Sequence, residues 1–307
     1  MKACVAVTDE ISRLDTTSRW QRFMEAAAYG DGYLQPLGQH HLAFFVKARS
    51  DLLISFDTAD SIRNRADTLP QYHAMARARN WSHLCVISEG ETWWRDPAVF
   101  RFFDQLVDDG VMDNFERVVF YGEGPAGYAA AAYSAAAPGC EVVLIAPRAT
   151  LDPEIAPWDD RHPTADTVNF TGRYGYAPDM TEAADRVWLI HDPHNPLDAR
   201  HAALFDKPWV TPLLARHTGE NTEDILIEMR IFDKIVEAAI VGTLSTRLFA
   251  RLWRGRRSNA SYLRDLLSTA ETTGHPKREA MICRSVTQRL NAPRFARRLA
   301  KLTGQSR

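Results

Sequence analysis

Arg117-Val-Val-Phe-Tyr-Gly-Glu-Gly-Pro-Ala-Gly-Tyr-Ala-Ala-Ala-Ala-Tyr133 is the stretch whose reading decides the fold. Its apolar start predicts a strand, its glycines a tight turn, and its alanines a helix. Such a unit serves two kinds of chemistry. A Gly-x-Gly-x-x-Gly turn lets a dinucleotide pyrophosphate approach the backbone at a helix N-terminus. Gly122, Gly124 and Gly127 fit that pattern literally. A Gly-x-Ser-x-Gly turn instead raises a nucleophile above the end of a strand. In that alignment the nucleophile position falls on Gly124, which has no side chain.

Outward from this turn, strands are expected at 42–48, 52–56, 83–87, 117–121, 141–146, 186–191 and 209–213. Most are continuous apolar runs, as in a parallel sheet buried on both faces. The first two are separated only by Arg49-Ser50-Asp51, which predicts an antiparallel hairpin. Helices are expected at 20–29, 62–79, 98–109, 126–137 and 198–205, alternating with strands in the manner of an α/β sheet. After His217 only helical patterns remain, at 222–240, 244–253, 260–273, 277–290 and 293–302. Residues 251–307 carry 14 Lys/Arg and 3 Asp/Glu, a basic helical tail.

The order of elements separates the two chemistries. A dinucleotide turn normally opens its domain, and its second strand ends near an acid for the ribose. Here several strands precede the turn, and Leu144-Ile-Ala-Pro-Arg148 offers Ala146, with Arg148 left for a 2′-phosphate. The raised-nucleophile arrangement expects a hairpin, a strand entering an oxyanion loop, the turn, then an acid and a histidine. The chain supplies Asp57 and Thr58 after a strand, Asp192 after another, and His217 after the last, with a gap of 68 residues from Gly124 to Asp192 and 25 from Asp192 to His217.

Phe120-Tyr-Gly-Glu-Gly-Pro-Ala-Gly-Tyr-Ala-Ala130 resembles the Tyr-Gly-Ser-Ser-Met-Gly-Gly-Tyr-Ala-Ala elbow of bacterial α/β-hydrolase-like proteins, some of which accompany surface-polysaccharide or glycosyltransferase systems. Ser88-Glu-Gly-Glu-Thr-Trp-Trp-Arg-Asp-Pro97 and Ala146-Pro-Arg-Ala-Thr-Leu-Asp-Pro153 resemble the same group. The resemblance implies a mostly parallel three-layer α/β-hydrolase-type domain at 41–220. An N-terminal helical or irregular segment at 1–40 would precede it, and a basic all-helical extension at 221–307 would follow. Where the family has its serine, this chain has Gly124, so no acyl-enzyme can form there. The expected role is ligand or partner binding, with Asp192 and His217 as a vestige. The alternative is a hydrolase or lyase in which His217 and Asp192 activate water. A second alternative is an FAD- or NAD(P)-dependent oxidoreductase using Gly122, Gly124 and Gly127. Asp57, Thr58, Pro125, Trp93 and Trp94 are the candidate oxyanion or ligand contacts.

The remaining features have plainer readings. At 307 residues, 45% apolar, 25% charged and net charge −2, the chain has the composition of a globular protein. Its overall charge argues against nucleic acid as partner of the whole chain. Cys4, Cys85, Cys140 and Cys283 lack metal spacing and read as free thiols. His191-Asp192-Pro-His194-Asn-Pro-Leu-Asp198-Ala-Arg-His201 is dense in potential ligands, but reads as a polar loop with Asp198 capping a helix. Trp93-Trp94-Arg95-Asp96 reads as core plus a helix cap, His40-His41 as a solvated pair, and 158–162 as a loop that could serve as a lid. No metal and no cofactor are expected. The N-terminus lacks a secretory pattern and no run approaches the ~18 apolar residues of a membrane span, so a cytoplasmic location is expected. The partner is a small molecule or protein, with an anionic partner for the tail.

Overall fold

The computed structural model describes residues 20–28, 30, 32–48, 51–163 and 168–304. Cys4 and the reading of residues 1–10 lie outside them. One sheet holds eight strands: β1 (Tyr33–Leu37), β2 (His41–Val46), β3 (Asp51–Thr58), β4 (Ser82–Ser88), β5 (Arg117–Glu123), β6 (Glu141–Ile145), β7 (Arg186–His191) and β8 (Val210–Leu214). Their order is β1-β2-β4-β3-β5-β6-β7-β8. β2 runs antiparallel to β1 and β4, and all pairings from β4 onward are parallel. This is an α/β-hydrolase-type sheet. β4 is buried along its whole length, as a strand paired on both edges and covered on both faces must be. The outermost strands, β1 and β8, each contain a proline, Pro36 and Pro212.

Residues 20–27 are helical (α1). The other helices are α2 (Ala59–Arg63), α3 (His73–Arg79), α4 (Pro97–Asp108), α5 (Gly124–Tyr133), α6 (Ala177–Met180), α7 (Pro196–Leu204), α8 (Thr222–Glu228), α9 (Phe232–Ile240), α10 (Thr246–Leu252), α11 (Ala260–Thr272), α12 (Pro276–Thr287) and α13 (Pro293–Leu302). Alternation along the strands divides the core into two faces. Leu52, Ile54, Phe120, Val142 and Leu144 point to one, where Phe103, Ala129 and Tyr133 cover them. Leu53, Val119, Tyr121, Val143 and Ile145 point to the other, under Ile225, Phe232, Ile235 and Val236. Leu263, Cys283 and Phe295 extend that second cluster outward. The C-terminal helices therefore begin as a covering layer: α9 lies directly on β5 and β6.

Several sequence expectations change. The runs at 42–48 and 52–56 do not pair; β4 lies between β2 and β3. A gap of four residues can span about 13 Å, enough to step over one strand at about 4.8 Å spacing, so a short gap does not require neighbours. The Ala48 N–H donates to Ser82 Oγ at 2.9 Å, tying the end of the connection to the start of β4. The hairpin is β1–β2 instead, and β1 falls inside the segment expected to be helical or irregular. The helix expected at 62–79 is two, α2 and α3, with Pro70 between them. The helix expected at 222–240 breaks where Arg230 adopts φ 55°.

Candidate functional site

β5 ends in the turn that starts α5, and Gly124 has φ +53° there, the left-handed region that glycine enters without steric cost. The three glycines differ in need. A Cβ on Gly122 would run into the carbonyl of Ala126, and one on Gly127 would stand 3.0 Å from Pro147 Cβ. A Cβ on Gly124 would meet nothing within 4 Å. The turn is thus held closed by Gly122 and Gly127, while the space that a side chain at Gly124 would take is open. Pro125 follows in the first turn of α5. Proline has no N–H, so this position of the turn has no backbone donor to offer.

Asp57 and Thr58 end β3 but face inward to their own surroundings. Asp57 Oδ2 accepts from Arg65 at 2.6 Å and from the Gln71 N–H at 3.2 Å. The Thr58 N–H donates to Asp57 Oδ1 at 2.9 Å, and its hydroxyl caps α2 by accepting from the Ser61 N–H at 3.2 Å. The expected oxyanion contacts are therefore occupied. Trp93 and Trp94 are 2% and 3% exposed, so neither ring presents a stacking face to solvent. Trp94 Nε1 donates to the Val86 carbonyl at 2.8 Å, while Trp93 lies edge-on to Tyr128, Phe170 and His162. Asp96 caps α4, as expected. His41 is buried, with Nε2 2.7 Å from Thr92 Oγ1, not solvated.

Asp192 is buried just past β7 and is fully engaged. Oδ1 accepts from the His194 N–H at 2.9 Å and from its ring Nδ1 at 3.0 Å; Oδ2 accepts from the Gly219 N–H at 2.9 Å. Burial works to raise its pKa, but these bonds and the His217 N–H bring it below the usual carboxylate value. The ring hydrogen-bonded to Asp192 is thus that of His194, not of His217. His217 contributes its backbone N–H and stacks its ring on His194, centroids 4.1 Å apart. Burial, then the neighbouring His194, lowers the pKa of His217. Asp198 and His201 of this loop and the following helix are likewise engaged. Asn195, not Asp198, caps α7, because its side chain reaches the N–H groups of Leu197 and Asp198. Asp198 instead accepts from Arg148 at 3.2 Å and Arg161 at 2.8 Å. Arg161 also grips both oxygens of Asp159 at 2.8 Å, and His201 Nε2 stands 2.7 Å from Asp159. This buried network straps the 158–162 loop to α7. Among the described residues, no group of three His, Cys, Asp or Glu side chains is arranged to hold a metal.

The sequence reading missed a carboxyl pair beside the turn. Glu123, the last residue of β5, faces Glu223 in the first turn of α8. Glu223 accepts from the hydroxyls of Tyr72 and Tyr121 and from Gln71 Nε2 at 3.4 Å. Among the described residues Glu123 has no such donors of its own, and it holds its proton beside this acid. Burial first, and then Glu223, push Glu123 up to about 9. The only sequence signal was an acid before Gly124; position 223, 100 residues away, carried none.

No protein-family profile matches the chain, and no curated protein is detectably similar to it. Among solved structures, the capsule O-acetyltransferase of Neisseria meningitidis serogroup A is similar at 11% identity and TM-score 0.47, covering 68% of this chain and 94% of that one. The S-formylglutathione hydrolase of Agrobacterium tumefaciens aligns at 10% identity and TM-score 0.46, over 68% and 95%. A thermostable carboxylesterase cloned from a metagenomic library aligns at 12% identity and TM-score 0.40, over 80% and 97%.

Proposed function

We propose that this α/β-hydrolase-type chain does not carry out serine acyl transfer and that it binds a ligand or protein partner instead. The observation that carries this reading is the pair Gly124-Pro125: the nucleophile's side chain and the following oxyanion N–H are both absent. The ring of His217 stacks on His194 rather than bonding to Asp192, which also speaks against a water-activating dyad. Pro125 weakens the dinucleotide alternative for a related reason, because a pyrophosphate needs N–H groups at the start of α5. The elbow's resemblance to proteins that accompany surface-polysaccharide systems supports a carbohydrate-linked ligand.

Labelling with a fluorophosphonate probe tests the reading. Wild-type protein is expected to remain unlabelled. Gly124→Ser has room for its side chain, yet it should label at least about 100-fold more slowly than Gly124→Ser/Pro125→Ala, because one oxyanion donor is worth that much. Stoichiometric labelling of the wild type would overturn the proposal. Ser55 and Ser88 are poor substitutes: both are buried, with Ser55 Oγ 2.8 Å from His83 Nε2 and Ser88 donating to the Gly90 carbonyl.

A further inference from the structure

The basic tail contains a groove. α11 and α12 diverge around a cavity of about 560 Å³ with Leu263, Leu266, Ile282 and Val286 among its lining and Met281 at its lip, 68% exposed. Arg256, Arg257, Arg278 and Arg289 also line it, and no carboxylate does. Glu271 and Glu279 both pair with Arg298. Arg289 donates to the carbonyls of Ser285 and Arg257 at 2.9 Å, and Arg256 to that of Trp253 at 2.8 Å. These bonds orient the guanidinium groups without neutralising them. Arg257 and Arg278 form no ion pair with any described residue.

We infer that this groove receives an acidic amphipathic helix of a partner protein. The apolar residues lie between two helices, where a ridge of side chains from a third helix can interdigitate. Arg278 lies in the first turn of α12 and Arg289 just past its last residue, so basic residues flank an apolar strip on a helix of roughly three turns. A ligand that satisfies this surface carries an apolar stripe with carboxylates at its two ends. Nucleic acid would meet the arginines but leave the apolar floor unused. A flat bilayer would reach Met281 but not residues recessed between helices. The inference is independent of whether the elbow has chemistry.

The test uses the full chain and a fluorescent, stapled helical peptide of about four turns, with one leucine stripe flanked by glutamates. Its affinity is measured by anisotropy beside a peptide of the same composition with the stripe scrambled. The striped peptide is expected to bind at least tenfold more tightly, and Met281→Glu and the pair Arg257→Glu/Arg278→Glu are each expected to weaken it at least tenfold. These side chains are exposed, so unchanged thermal melting verifies that the variants remain folded. Equal binding of the scrambled peptide, or indifference to both variants, overturns the inference. Tighter binding of single-stranded DNA or of phosphatidylserine vesicles than of the striped peptide, lost in the same variants, also overturns it.

Discussion

The ends of the parallel strands and the α11–α12 groove treat charge in opposite ways. At the strand ends Asp57, Asp159, Asp192, Asp198 and Glu223 each find donors inside the chain. In the groove, Arg257 and Arg278 find no acid among the described residues, although the fold buries apolar groups next to them. A buried charge must be paired where it stands, whereas an exposed one can await a partner. The contrast teaches where to look for function: the strand ends are knitted into structure, and the tail retains unspent binding capacity.

Substitutions distinguish the two regions. The largest effect is expected from Gly122→Ala, which forces a Cβ into the Ala126 carbonyl and should cost more than about 3 kcal/mol in urea unfolding. Gly124→Ala, with open space but positive φ, should cost about 1 kcal/mol. Similar losses for the two would mean that the turn is not held as described. Asp159→Ala comes next: it leaves Arg161 and His201 without their shared acceptor and should cost about 3 kcal/mol in the same assay.

The Glu123–Glu223 pair gives a pH test of intermediate size. Unfolded, Glu123 titrates near 4.5; folded, it holds its proton to about 9. Between those values the folded chain binds more protons, so this group's stabilisation is complete below 4.5 and is lost as pH rises through 9. Thermal melts from pH 5 to 9 should show a decline in the wild type and a flatter profile in Glu123→Gln. An identical slope in both would remove the proton from Glu123. The smallest effect belongs to the tail. Arg257→Ala, lacking an acid partner, should change stability by less than about 0.5 kcal/mol, and a larger loss would reveal a structural role for that arginine.

Much of the parallel sheet was legible because long apolar runs bounded by turn residues have few alternatives. β5, β6 and β7 fall within two residues of expectation. β1 was not, since Tyr33-Leu-Gln-Pro-Leu37 has a proline and little alternation. Strand order was hidden for a different reason: a gap length limits reach without choosing a neighbour. Within the site, the glycine turn could be read directly. The exchange of His194 for His217 at Asp192 could not, because it depends on backbone at 217, where φ is +64°. Glu223 was invisible because its meaning comes wholly from Glu123, Tyr72 and Tyr121, which the fold brings to it.

Pro36 and Pro212 have a consequence for crowded solutions. An open sheet has two rims, and a rim of unpaired backbone groups is a template on which another chain can add a strand. Each rim strand here lacks one N–H and carries a ring that impedes close approach. Neither margin is suited to running continuously into the sheet of a second molecule. Self-association by that route is discouraged at both margins.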